Sequence, residues 1–259
     1  MREERGADFV QSLERGLAVI RAFDTDHPQL TLSDVARSTG LTRAAARRFL
    51  HTLVELGYVG TDGRLFSLRP RVLELGYAYL SSLSLPELAM PSMERLVERV
   101  RESCSMAVLD GDDVVYVARV PTKRIMSVVI SVGTRFPAYA TSMGRVLLTH
   151  QEPSRLDDYL DRVKLDPLTP KTITDREQLR AVLDQVRADG YCLVDEELEE
   201  GLRSMAVPVL DGDGRVVAAL NVSAHTSRGT ASAIRRDLLP PLRETAEAIS
   251  ADIARARHP

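Results

Sequence analysis

The chain has 259 residues, with a formal net charge of −3, 44% hydrophobic residues, two cysteines and no tryptophan. That composition belongs to a globular protein of one large or two medium domains and excludes a fibrous or disordered chain. Apolar runs such as 216–220 are far too short for a membrane helix, the N-terminus carries no apolar signal core, and Cys104 and Cys192 are too few for a disulfide framework, so a cytoplasmic protein is expected.

Charge is distributed unevenly. Residues 35–71 hold Arg37, Arg43, Arg47, Arg48, Arg64, Arg69 and Arg71 against Glu55 and Asp62, a local excess of +5 on an acidic chain. A basic block of this kind suits a polyanionic partner. In "VQSLERGLAVIRAF", Val10, Leu13, Leu17 and Ile20 fall on one face of a helix, and that face is expected to be buried. The segment "HPQLT" is expected to be a loop. Ser33 is the expected cap of a short helix with Val35 and Ala36 inward, and Gly40 stops it. Thr42 caps the next helix, whose inward residues are Ala46, Leu50, Leu53 and Leu56. In "YVGTDGRLFSL", Tyr58 and Val59 can pair with Leu65 and Phe66 across an Asp-Gly turn. Helix, helix-turn-helix and hairpin together make a winged helix.

This frame gives the arginines a role. Arg43 and Arg47 are four residues apart and share a face away from the leucines, with Arg48 beside them. Ala44 keeps that surface low, so Thr42, Arg43, Ala44, Arg47 and Arg48 form the expected DNA-binding face, and Arg64 at the hairpin tip reaches a second groove or the backbone. The alternative is a solvated helix face that binds nothing, or a scaffold that binds only protein.

Residues 69–85 read as a linker helix. Val72, Leu73, Leu75, Tyr77, Tyr79 and Leu80 place apolar groups nearly all round it, so a second copy of the chain is its simplest cover. The expected division is therefore a DNA-binding domain over 1–68, the linker over 69–85, and a second domain over 86–259.

The second domain alternates. A helix with Leu88, Leu96 and Val100 inward precedes a hairpin over 105–120, and "IMSVVISVG" continues as strand. A helix begins at Thr141 or Ser142, and two more helices lie in 152–163 and 175–190. A hairpin over 204–224 and a closing helix with Leu242, Ala246, Ile249 and Ile253 in register complete an α+β sheet domain. The sequence contains no nucleophile elbow, P-loop or dinucleotide fingerprint. Its five histidines are scattered without metal-ligand spacing, so neither a catalytic nor a metal site is expected, and no cofactor. The acidic run Asp195, Glu196, Glu197, Glu199 and Glu200 reads as a solvated turn with one or two capping carboxylates, the alternative being a cation site. "YATSMGR" sets a helix start directly after a strand, where free amides attract carboxylates, and Ser142 adds a hydroxyl. Arg203, Ser204, Asn221 and Ser223 stand at strand ends, as the polar groups of a small pocket or as groups that satisfy the backbone.

The segments "QSLERGLAVI", "LSDVARSTGLTRAAARRFLHTLVELGYV", "ATSMGRVLL", "GYCLVDEELEEGLRSMAVPV" and "VVAALNVS" resemble the IclR family of bacterial transcription regulators along nearly the whole chain. "RAAARRFLHTL" and "ELEEGLRSMAVPV" are similar to the branch that controls the β-ketoadipate pathway, whose members respond to protocatechuate, 4-hydroxybenzoate or β-ketoadipate. The resemblance implies a winged helix-turn-helix, a linker helix, a GAF-like effector-binding domain, a homodimer or tetramer, double-stranded operator DNA and a small carboxylate effector. It implies an effector site at Ser142, Met143, Ser204, Asn221 and Ser223, with Asp195 near; Gly144, in the first turn of that helix, has no side chain and is expected to let a ligand or strand come close. Arg135 or Arg203 would add a second charge contact for a dicarboxylate. Where some members carry Cys, this chain has Ser204, a harder hydrogen-bonding group, which argues against a metal there. The rival class is an enzyme acting on the same acid with an accessory winged helix.

Overall fold

A computed structural model describes residues 8–24, 26–76, 85–122 and 130–257. The chain separates into two compact units, residues 1–82 and 83–259.

In the first unit, α1 (Gln11–Arg21), α2 (Leu32–Thr39) and α3 (Arg43–Glu55) pack with a three-stranded sheet of β1 (Leu30–Thr31), β2 (Val59–Thr61) and β3 (Leu65–Leu68), in the order β1-β3-β2. Its core gathers Val19, Phe23, Val35, Ala46, Leu50, Leu53, Val59 and Phe66. Several local expectations are corrected. The buried face of α1 is the one carrying Val19, while Val10, Leu13 and Leu17 are exposed. The cap of α2 is Thr31, not Ser33: its hydroxyl accepts the Asp34 N–H at 3.3 Å and the Asp34 carboxylate accepts the Thr31 N–H at 3.2 Å, a reciprocal capping box. That cap uses the end of β1, in a stretch expected to be loop. The hairpin is also registered further along, with Val59 opposite Leu68 and Thr61 opposite Phe66, because Asp62 lies within the turn. Leu56, expected inward, is exposed past the end of α3.

Of the expected linker helix, Pro70–Val72 form a 3₁₀ turn and 73–76 are helical, with Leu73 and Leu75 exposed. Tyr77, Tyr79 and Leu80 lie outside the described residues.

The second unit is built on a six-stranded antiparallel sheet in the order β6-β5-β4-β9-β8-β7. Its strands are β4 (Ser103–Asp110), β5 (Asp113–Val120), β6 (Arg135–Pro137), β7 (Cys192–Asp195), β8 (Leu202–Leu210) and β9 (Val216–His225). Strand alternation sorts side chains between two cores. Met106, Met205, Val207, Leu220 and Val222 face α4 (Leu85–Val100) and α8 (Ala231–Arg257). Ala107, Tyr116, Val194, Ala206 and Ala219 face α5 (Ser142–Thr149), α6 (Pro153–Arg162) and α7 (Arg176–Asp189). Residues 123–129 of the expected "IMSVVISVG" strand lie outside the described residues; 130–133 are not strand, and the next strand is β6.

Candidate functional site

In the first unit, α3 presents its arginines because its other face is fully committed. Thr42 accepts the Ala45 N–H at 3.2 Å and sets the helix start, and Ala46, Leu50 and Leu53 are buried. Thr42, Arg43, Ala44, Arg47 and Arg48 are all exposed. Arg64 is exposed in a turn fixed by Asp62, whose carboxylate accepts the Arg64 N–H at 2.9 Å and the Leu65 N–H at 2.7 Å. Gly63 takes the positive φ of +97° that this turn needs. Arg37 and Arg71 pair with Asp34 and Glu74, but Arg43, Arg47, Arg48 and Arg64 form no ion pair among the described residues. Their charge stays available to a phosphate backbone.

In the second unit, the start of α5 stands over β8 and β9 and frames a narrow, partly open cavity. Its floor is polar. Ser142 Oγ and Ser204 Oγ are 2.8 Å apart, and Asn221 Nδ2 donates to Ser204 Oγ at 2.9 Å and to Ser223 Oγ at 3.2 Å. Asn221 is itself fixed by the Ser105 N–H, which donates to its Oδ1 at 3.0 Å. Thr141 caps α5 by accepting the Gly144 N–H at 3.0 Å. The amides of Ser142 and Met143 find no backbone acceptor among the described residues, which leaves two donors at a positive helix end. The walls are apolar: Ile130, Ala140, Val194, Leu198 and Leu202. Hydroxyls and amides set among apolar walls suit a small polar or anionic molecule.

Four expected site residues do other work. Arg135 lies outside the cavity, exposed on β6 and paired with Asp110 at 2.6 Å and Asp113 at 3.2 Å. Arg203 follows the opposite parity from Ser204, so it leaves the other face of the sheet; there it bonds Asp195 at 2.7 Å and the Gly229 carbonyl at 2.6 Å. Asp195 is spent in the same pair and likewise does not line the cavity. Gly144 is needed for packing rather than ligand approach: a Cβ there would lie 2.2 Å from the Ala138 carbonyl oxygen. Met143 contributes its amide, since its side chain is buried in the core.

The acidic run is not simply a solvated turn. Glu197 is buried and grips Arg145, whose Nη1 and Nη2 donate to its two oxygens at 2.7 and 2.5 Å. Arg145 Nε donates to the Tyr139 carbonyl at 2.7 Å, and Ile173 N–H donates to Glu197 at 3.2 Å. This pair pins the segment that carries Leu198 and Leu202 against α5. Sequence reasoning missed it, although a lone arginine inside the apolar run "MGRVLL" was a usable signal. It also missed Tyr116, Thr141, Val194, Leu198 and Leu202, which carry no distinguishing pattern. Among the described residues no group of His, Cys, Asp and Glu is placed to hold a metal ion, and no helix is long and apolar enough to cross a membrane. Both cysteines are buried, and burial raises the pKa of each thiol.

A winged helix with unneutralised arginines, joined to a sheet unit holding a small cavity with a polar floor, defines a ligand-responsive DNA-binding regulator. Residues 12–63 match the IclR helix-turn-helix domain, and residues 77–251 match the C-terminal domain of the bacterial transcriptional regulator IclR. The chain belongs to the IclR family and is a transcription regulator, not an enzyme. It is 50% identical to the Pca regulon regulatory protein of Pseudomonas putida, covering 91% of this chain and 81% of that one. It is 41% identical to the p-hydroxybenzoate hydroxylase transcriptional activator of Acinetobacter baylyi, covering 94% and 92%. The crystal structure of an IclR homologue from Microbacterium hydrocarbonoxydans in complex with 4-hydroxybenzoate superposes with a TM-score of 0.83 at 31% identity, covering 95% and 99%.

Proposed function

We propose that this protein controls genes of aromatic-acid catabolism, binding operator DNA with its first unit and a small carboxylate of the protocatechuate, 4-hydroxybenzoate or β-ketoadipate class with its second. The observation that carries the reading is the cavity floor of Ser142, Ser204, Asn221 and Ser223 beneath the free amides of α5. A carboxylate at the Ser142 and Met143 amides gains charge-assisted hydrogen bonds in a site shielded from water. The relatives named above regulate the pca regulon and p-hydroxybenzoate hydroxylase, and a structural neighbour holds 4-hydroxybenzoate. Thr42, Arg43, Ala44, Arg47, Arg48 and Arg64 are the residues assigned to DNA.

The working unit is at least a homodimer in the cytoplasm, with residues 69–85 linking the two domains. In support, Phe9, Val10, Leu13 and Leu17 form an exposed apolar stripe on and before α1, and Leu73 and Leu75 are exposed in the linker. A second copy is the simplest cover for such surface. The effector changes DNA affinity only through its unequal affinity for two states of the protein.

The test is a thermal-shift screen of the full chain against protocatechuate, 4-hydroxybenzoate and β-ketoadipate. A true effector stabilises by RT ln(1 + [L]/Kd), about 2.7 kcal/mol at one hundred times Kd. Asn221→Ala abolishes that shift while leaving gel-shift binding to the chain's upstream DNA. Shifts that persist undiminished in Asn221→Ala place the effector elsewhere.

A further inference from the structure

The second unit matches nearly every arginine it buries to a carboxylate. Arg145 pairs with Glu197, Arg203 with Asp195 and Arg228 with Glu102, at 2.5, 2.7 and 2.6 Å. Arg119, on β5, is different. It is half-buried, and among the described residues it forms neither an ion pair nor a hydrogen bond. A cation drawn partly out of water without a partner is costly, so such a group is poised for an anion.

Sheet register shows which way it faces. Arg119 lies opposite Ser105 on β4, and Ser105 lies opposite Asn221 on β9. Directly opposed residues in an antiparallel sheet share a face, and Asn221 is part of the cavity floor. Arg119 therefore rises from the cavity face. Tyr116, on the same strand, lines the cavity at this side. Burial pushes its phenol up to about 12, and the Arg119 charge nearby acts in the opposite direction. The Arg119 guanidinium has its own pKa drawn below the ordinary value by desolvation, an effect the Tyr116 phenol partly offsets.

The α5 amides and Arg119 then lie over one face of the sheet, with Arg119 just beyond Tyr116 and outside the residues that line the cavity. The α5 amides lie over β8, where Ser142 meets Ser204, while Arg119 is on β5, three strands away in the order β5-β4-β9-β8. At about 4.8 Å per strand the backbones are roughly 14 Å apart. An arginine side chain extended along that face would cover part of the distance, and a benzene ring or a six-carbon chain the rest.

Building on the effector cavity proposed above, we propose that Arg119 receives a second anionic group of the effector and so sets a preference for ligands charged at both ends over monocarboxylates. Among the described residues, the two other arginines considered for this role, Arg135 and Arg203, are spent on aspartates.

The experiment is calorimetric titration of the full-length protein and its Arg119→Gln and Arg119→Lys variants with β-ketoadipate, adipate and 4-hydroxybenzoate. Wild type is expected to prefer a dicarboxylate. Arg119→Gln should weaken that dicarboxylate roughly 10- to 100-fold, the loss of a charge-assisted contact, and weaken 4-hydroxybenzoate less than about 3-fold, with Arg119→Lys in between. Equal losses for all three acids, or none, overturn the proposal, as does a wild-type preference for 4-hydroxybenzoate. Should Arg119→Gln fail to fold, Arg119→Lys alone decides by the same comparison. If Asn221→Ala removes binding of every acid while Arg119→Gln removes none, this inference falls and the effector cavity stands. If no acid binds wild type, both fall.

Discussion

The two units of this protein build their candidate sites in opposite ways. The first displays its candidate residues: α3 buries one face through Ala46, Leu50 and Leu53 and leaves Arg43, Arg47 and Arg48 in solvent. The second conceals them: Ser142, Asn221 and Ser223 are buried, and they meet only because α5, β8 and β9 are packed together. An exposed face tolerates substitution and loses function in increments. A site made by packing is lost together with the core that makes it.

The largest expected difference lies at Gly144. Valine there must displace the Ala138 backbone, so Gly144→Val should destabilise the second unit by about 4 kcal/mol or more, the range reached when a core is overfilled. Limited proteolysis should degrade that unit and leave the winged helix intact. A stable Gly144→Val chain that merely binds effector poorly would show that the cavity is separable from the fold. Next comes the Arg145–Glu197 pair. Removing one partner leaves a buried charge, so Glu197→Gln should cost roughly 3–5 kcal/mol in chemical denaturation. The double change Arg145→Met with Glu197→Leu should recover much of it.

On the exposed side the effects are smaller and local. Arg47→Ala should weaken operator binding by roughly 1–3 kcal/mol if the arginine reads a base, with no change in melting temperature. If it contacts phosphate, affinity falls for every sequence and the salt slope drops by about one. Loss of stability instead would mean that α3 is a structural face and not a docking face.

The smallest effect concerns the wing. Backbone N–H bonds from Leu65 and Arg64 hold the Asp62 carboxyl below its ordinary value of 3.8. A lowered folded-state pKa gives stability that is present above the unfolded value and lost as pH falls through the folded one. Wild type and Asp62→Ala should therefore melt apart at neutral pH and converge in strong acid. Equal separation at all pH values would show that the Asp62 charge plays no part in fixing the turn.

By itself, the sequence determined what depends on neighbours along the chain. Helix positions followed from apolar spacing, the α3 cap from Thr42, the wing from Asp-Gly, and the solvent-facing arginines from lying off the leucine face. Even the strand alternation that separates Ser204 from Arg203 is written in the order of residues. Only the tertiary structure decided which of two similar faces a core uses. It turned Val19 inward and left Leu13 outside, because periodicity marks an apolar stripe without saying what covers it. It spent Arg135 on Asp110 and Arg203 on Asp195, and left Arg119 without an ion pair among the described residues. Pairings of that kind join residues far apart in the chain, and composition records the charges without recording which of them meet. Gly144 shows the same limit: its need for a bare backbone comes from the Ala138 carbonyl pressed against it, a contact created by the fold between residues with no local signature.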